Sequence, residues 1–177
     1  MTSADRASCP AHEAHDEVAR IVEAWTNERP DLDPTPMFVL SRVTRLAKHL
    51  DRARRAAFAN HGLETWEFDV LSSLRRAGEP YVLTPGDLIA EHLVTSGTMT
   101  NRIDRLQAKG LVTRSSALED RRIVQVKLTE EGKTKVDTAL ASLLDSERRI
   151  LAPLSSGEHE KLADLLTLLL APFETEE

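Results

Sequence analysis

The chain has 177 residues, 41% hydrophobic and 29% charged, with a net charge of −6. That is the make-up of a globular protein of one domain, or of a compact domain with a helical extension. The densest apolar stretch, 162–171, is broken by Asp164 and Thr167 and falls short of the roughly 18–20 residues of a membrane helix. A single cysteine, Cys9, excludes an intramolecular disulfide framework, and no apolar run follows Met1, so a cytoplasmic protein without a membrane partner is expected.

Residues 1–11 read as a disordered tail. Over 12–28 the apolar residues Val18, Ile21, Val22 and Trp25 recur at helical spacing. The prolines at 30, 34 and 36 break that helix, since each lacks a donor and disfavours helix before it. A long helix follows over 36–60, with the stripe Val39, Leu40, Val43, Leu46, Ala47, Leu50 and Ala57, ending at Gly62. The next helix, 65–77, takes Thr65 as its N-cap and stops at Gly78. A short extended run, 81–83, leads to Thr84-Pro85, a capping residue before a first-turn proline, and a helix over 85–93.

A polar turn, Thr95-Ser96-Gly97, precedes a helix that ends near Lys109-Gly110. Two extended runs, 111–114 and 123–128, bracket a charged loop over 115–122, which makes a hairpin with a long tip. Thr129 caps a helix running to about Leu151, stopped by Pro153, and a leucine-rich helix follows. The fold class is therefore mainly α with a small β-wing. It reads as a winged helix-turn-helix over 63–128, preceded by N-terminal helices over 12–62 and followed by C-terminal dimerisation helices over 129–177. Apolar faces on the terminal helices exceed what so small a head covers, so a C₂ homodimer with a helical lobe is expected.

The net charge is negative, but its distribution is not even. Between Thr95 and Lys127 stand seven cations and three acids, a local charge of +4, which leaves −10 for the rest of the chain. A basic head on an acidic body suits a nucleic-acid binder. Along the helix from Ser96, Met99, Ile103 and Leu106 share one face; Thr98, Asn101, Arg102 and Arg105 share another. Hydroxyl, amide and guanidinium groups are the donors and acceptors that read base edges and hold phosphates. Ser96, Thr98, Thr100, Asn101, Arg102 and Arg105 are the DNA-binding candidates of this helix. At the wing tip Arg121 and Arg122 suit the electronegative minor groove, and Asp120 is placed to aim a guanidinium.

The run from Thr84 to Leu88, the run from Ser96 to Leu106, Lys109-Gly110-Leu111-Val112, Asp120-Arg121-Arg122 and the trailing Val126-Lys127-Leu128-Thr129 with Gly132 resemble the MarR family of bacterial regulators. The resemblance covers about 36–172 and implies a dimer of winged helix-turn-helix subunits on a palindromic, inverted-repeat operator in double-stranded DNA. Within the family the chain is similar to the urate-responsive, PecS/HucR-like subgroup. The stretch Trp66-Glu67-Phe68-Asp69-Val70-Leu71 with Arg75, Gly78, Pro80 and Tyr81 carries that similarity. It implies a ligand site from Trp25, Asp69, Arg102 and Arg114. Urate is a planar anion rich in acceptors, which suits arginines and an indole face.

Other ligands compatible with the family are a phenolic acid, an antibiotic or a carboxylate such as trans-aconitate. Nothing resembles a phosphate loop, a nucleophile motif or a Cys/His metal spacing, so neither an enzyme nor a cofactor is expected. A metal-responsive regulator would rest on His12 and His15, and a purely structural helical dimer is the third reading.

Overall fold

The computed structural model describes residues 16–116 and 122–174. The expected disordered tail, Cys9, His12, His15, and the wing-tip residues Asp120 and Arg121 lie outside the described residues. Those described form α1 (Glu17–Glu28), α2 (Met37–Ala59), α3 (Thr65–Arg76), β1 (Val82–Leu83), α4 (Pro85–His92), α5 (Ser96–Ala108), β2 (Val112–Ser116), β3 (Val124–Leu128), α6 (Glu130–Leu151) and α7 (Ser156–Glu174). They divide into two compact units, one up to Asp51 and one from Arg52 on, with the division inside α2.

In the first unit, Asp16 caps α1 by accepting the Ala19 N–H at 2.8 Å. The same carboxylate takes Nε and Nη2 of Arg42 at 2.8 and 3.0 Å, and Arg45 pairs with Glu17. Two acids at the start of α1 are thereby pinned to two arginines one turn apart on α2. The Arg42 bonds, and after them the Ala19 N–H, hold the Asp16 carboxyl below its ordinary value. The proline segment between the helices is tied locally: Arg29 forks onto Asp31, and Asp33 accepts the Thr35 N–H at 3.0 Å.

The second unit holds one core. Phe58, Leu71, Leu74, Leu88, Met99, Ile103, Leu106 and Val126 are fully buried, and Phe58 stacks on Phe68 with ring centroids 4.0 Å apart. Val136, Ala139 and Leu143 of α6 enter the same cluster, so α6 shares the core of segment 63–128. The hairpin β2–β3 is antiparallel with Val112 opposite Leu128 and Arg114 opposite Val126. The run before α4 does more than lead into it: Val82 pairs with Lys127 and Leu83 with Val126, giving a three-stranded sheet in the order β1-β3-β2.

Several boundaries differ from the sequence expectation. Glu64, not Thr65, occupies the N-cap of α3; its N–H donates to the Glu67 carboxylate at 3.0 Å. Ser96 and Gly97 lie inside α5. The turn sits earlier, at Leu93, whose φ of 49° is left-handed, and Thr95 is the cap, accepting the Thr98 N–H. The strand β2 reaches Ser116, two residues past the expected end. The helix α7 has no buried residue, and Leu165, Leu168, Leu169, Leu170 and Phe173 stand exposed along it.

The junction of sheet and α6 is close-packed. Thr129 accepts the Gly132 N–H at 3.0 Å while its own N–H donates to the Leu111 carbonyl at 3.1 Å. A Cβ at Gly132 would lie 2.2 Å from that carbonyl oxygen and 2.9 Å from Leu128 Cδ1. Gly132→Ala therefore forces backbone apart, and a destabilisation of about 1–3 kcal/mol is expected. It is read as a lower urea midpoint at unchanged m-value; an unchanged midpoint would show that the junction yields freely.

Candidate nucleic-acid interface and ligand-response residues

The helix α5 is positioned by its own sequence. Met99, Ile103 and Leu106 are fully buried, which fixes the rotation of the helix about its axis. Thr98, Thr100, Asn101 and Arg105 lie away from this face and are exposed, together with Asp104, and Ser96 is exposed in the first turn. The helix before it, α4, starts with Thr84 and Asp87 bonded reciprocally: the Thr84 N–H donates to Asp87 at 2.8 Å and the Asp87 N–H to Thr84 Oγ1 at 3.2 Å. An eight-residue helix, a left-handed residue and a capped second helix make a helix-turn-helix, and β2–β3 follow it as the base of a wing.

The first turn of α3 grips the flank of α5. Glu67 is fully buried, and its carboxylate meets Lys109 Nζ at 2.6 Å as well as the Glu64 N–H. Next to it the Glu64 carboxylate accepts the Trp66 indole N–H at 2.8 Å and an Nη2–H of Arg105. The guanidinium carbons of Arg105 and Arg102 stand 4.7 and 5.6 Å from the Trp66 ring centroid, a spacing for cation–π attraction. The indole bond, and after it Arg105, hold the Glu64 carboxyl below its ordinary value. Three cations of α5 and its cap thus rest on a patch of two carboxylates and one indole.

The other flank of α5 is held by the wing. Arg114 on β2 donates to Asp104 and, at 3.1 Å, to the Thr100 carbonyl. This neutralises the acid on the exposed side of the helix. Arg122 and Lys127 lie exposed on the wing.

The four residues expected to hold a ligand are placed as follows. Asp69 is half-buried and pairs with Arg54 of α2 at 3.3 Å, while Arg102 lies over Trp66 and Arg114 bonds Asp104. Asp69 stands one helical turn after Trp66 on α3, hence on the same side. In the first unit, Trp25 is 51% exposed and lines an apolar cavity of about 320 Å³ with Leu32, Pro34, Pro36 and Met37. Among the described residues no cluster of three His, Cys, Asp or Glu side chains is placed to hold a metal ion.

Sequence reasoning assigned no role to Glu64, Trp66, Glu67 or Arg54. The signal for the first three was present: carboxylates three apart with an aromatic between them at a helix start form a capping pattern. The choice of Thr65 as cap concealed it.

The model of the MarR family matches residues 61–123, which span the end of the long helix to the wing. The chain is 39% identical over 150 residues to the HTH-type transcriptional regulator PecS of Dickeya dadantii, covering 85% of this chain and 90% of that protein. Among solved structures it is similar to a mutant MarR from E. coli complexed with operator DNA, with a TM-score of 0.62, 27% identity, and coverage of 78% and 99% of the two chains. AbsC, a MarR family regulator from Streptomyces coelicolor, shares the fold at a TM-score of 0.70 and 19% identity, over 82% of this chain and 98% of that one.

Lys109→Met leaves the Glu67 carboxylate buried without its cation. Breaking a buried pair on one side costs roughly 3–5 kcal/mol; because Lys109 is 41% exposed, about 3 kcal/mol is expected. Glu67→Gln in the same chain should recover part of it. A Lys109→Met protein that melts like the parent in urea would show that the pair carries no strain-bearing role.

Proposed function

Because the chain belongs to the MarR family of transcriptional regulators, we propose that it is a homodimeric repressor that reads a palindromic operator through α5 and is released from it by a small anion such as urate. The observation that carries this is α5 itself. Its apolar face is locked into the core and both flanks are clamped. The exposed side chains of Ser96, Thr98, Thr100 and Asn101 are left to face outward, with Arg105 beside them on Glu64 and Trp66. A helix held in this way needs no further ordering of its backbone on entering a major groove. Asn101 suits an adenine edge, and Arg105 a phosphate or guanine. Arg122 of the described wing, with Arg121 and Asp120 at its tip, is assigned to the flanking minor groove.

Dimerisation is supported by two separate apolar surfaces. In the first unit Val39, Leu40, Val43 and Leu46 are exposed; in the second, α7 exposes six large apolar side chains and buries none. Surfaces of this extent are covered by a partner. Two copies related by a dyad then present two α5 helices to half-sites about 34–36 Å apart, one turn of DNA.

Urate is assigned from the resemblance of Trp25, Asp69, Arg102 and Arg114 to the urate-responsive subgroup. The geometry suggests how it acts. Arg102 lies over the Trp66 ring, and Asp69 follows one turn later on the same helix. An anion drawn to Arg102 approaches the Asp69 carboxylate, and repulsion between them loosens Asp69 from Arg54 and α3 from the reading helix. The ligand need only bind the DNA-incompetent arrangement better to shift the population.

The test is an anisotropy titration of DNA upstream of the protein's own gene, with and without millimolar urate. Urate is expected to weaken binding at least about tenfold, equivalent to 1.4 kcal/mol. Trp25→Phe and Arg102→Ala should blunt the response, and Asp69→Asn should bind DNA with little urate dependence. Binding that urate leaves untouched would keep the regulator and remove urate as its ligand; Asp69→Asn with the parent's urate dependence would remove the repulsion mechanism.

A further inference from the structure

The patch on α3 that holds the reading helix has an asymmetry. Its two carboxylates do different work. Glu67 is fully buried and grips Lys109 at the end of α5, away from the reading face. Glu64 is 53% exposed, and its partner Arg105 is 50% exposed. Arg105 belongs to the outward face assigned above to DNA. In the free protein its guanidinium is therefore occupied by a carboxylate and an indole.

A carboxylate and a phosphate diester offer a guanidinium the same thing: two anionic oxygens in a fork. We infer that Glu64 is a built-in competitor of the DNA backbone for Arg105, one that sets how tightly the reading helix holds any duplex. The inference rests on the assignment of Arg105 to DNA. When the helix docks, Arg105 swings from Glu64 to a phosphate oxygen. The exchange leaves a carboxylate without its cation beside a polyanion, which taxes every complex alike. Trp66 makes the exchange practicable. Its ring stays under the guanidinium at 4.7 Å while the polar edge of the arginine changes partners, and its N–H keeps a bond to the carboxylate at 2.8 Å, so Glu64 does not swing after the arginine.

Glu64→Gln isolates the charge. The amide oxygen still accepts the Trp66 N–H, and the side chain keeps its length. Wild type, Glu64→Gln, Arg105→Ala and the double variant are titrated by anisotropy against a labelled duplex of the DNA upstream of the protein's own gene and against a scrambled duplex of equal length. Glu64→Gln is expected to bind both about two- to fivefold more tightly, the size of an exposed ion pair, and the gain should shrink as salt rises. In the Arg105→Ala background the same substitution should give a clearly smaller gain, that of charge repulsion alone. In a Trp25→Phe protein, Trp66 emission should shift on saturation with DNA, and with Arg105→Ala the shift should fall.

Weaker binding by Glu64→Gln would overturn the inference, because Glu64 would then be aiming Arg105 at DNA. No change, or an equal gain without Arg105, would overturn it as well, leaving an idle surface pair or a general charge effect. The parent assignment fails differently: Arg105→Ala would then bind DNA as tightly as wild type.

Discussion

The arrangement depends on one buried charge. Glu67 has no exposed surface, and a carboxylate in such a place is tolerated only if its oxygens are bonded. Lys109 and the Glu64 N–H both bond Oε2, and Oε1, which has no hydrogen bond of its own, keeps the ionic contact with Lys109 at 2.6 Å. The requirement ties the first turn of α3 to the end of α5, and with the core residues Met99, Ile103 and Leu106 it leaves the reading helix one orientation. Glu64 and Trp66 follow from it, since once Glu67 is fixed they stand against Arg105 and Arg102. The wing adds the opposing hold through Arg114 on Asp104.

The same pairs alter the meaning of the charge pattern. Seven cations in a 33-residue window suggest a head with ample free positive charge. Arg105 and Lys109 in fact rest on Glu64 and Glu67, which lie in sequence outside that window, and Arg114 rests on Asp104 within it. A window of sequence counts charges, whereas DNA meets only those left over after folding. A head with every cation free would hold all duplexes more tightly through their phosphates.

Local chemistry made much of the fold legible. Thr84-Pro85, Thr129 with its following acids, and the glycines after α2 and α5 mark helix ends by mechanisms that need no tertiary context. The alternation over 123–128 marks β3 in the same way. What was hidden depends on partners distant in sequence. Val82 and Leu83 form a strand because β3 passes beside them. Asp69 borders an apolar face and so asks for a cation, but only the packing of α2 on α3 selects Arg54. Thr65 is the better cap on propensity alone; the Glu67 bond to the Glu64 N–H overrides it. Family resemblance reached further into function than periodicity did, since nothing in the spacing of Trp25, Asp69, Arg102 and Arg114 names a ligand.

In the proposed function α5 and the wing form an electrostatic and hydrogen-bonding surface for duplex DNA. The ionic-strength dependence of affinity tests it most directly, because each phosphate neutralised releases counterions whatever the sequence. A plot of log K against log salt concentration is expected to be linear, with a slope steeper than about −3, as four or more phosphate contacts by a dimer require. A slope near zero, or no binding at low salt, would contradict the account.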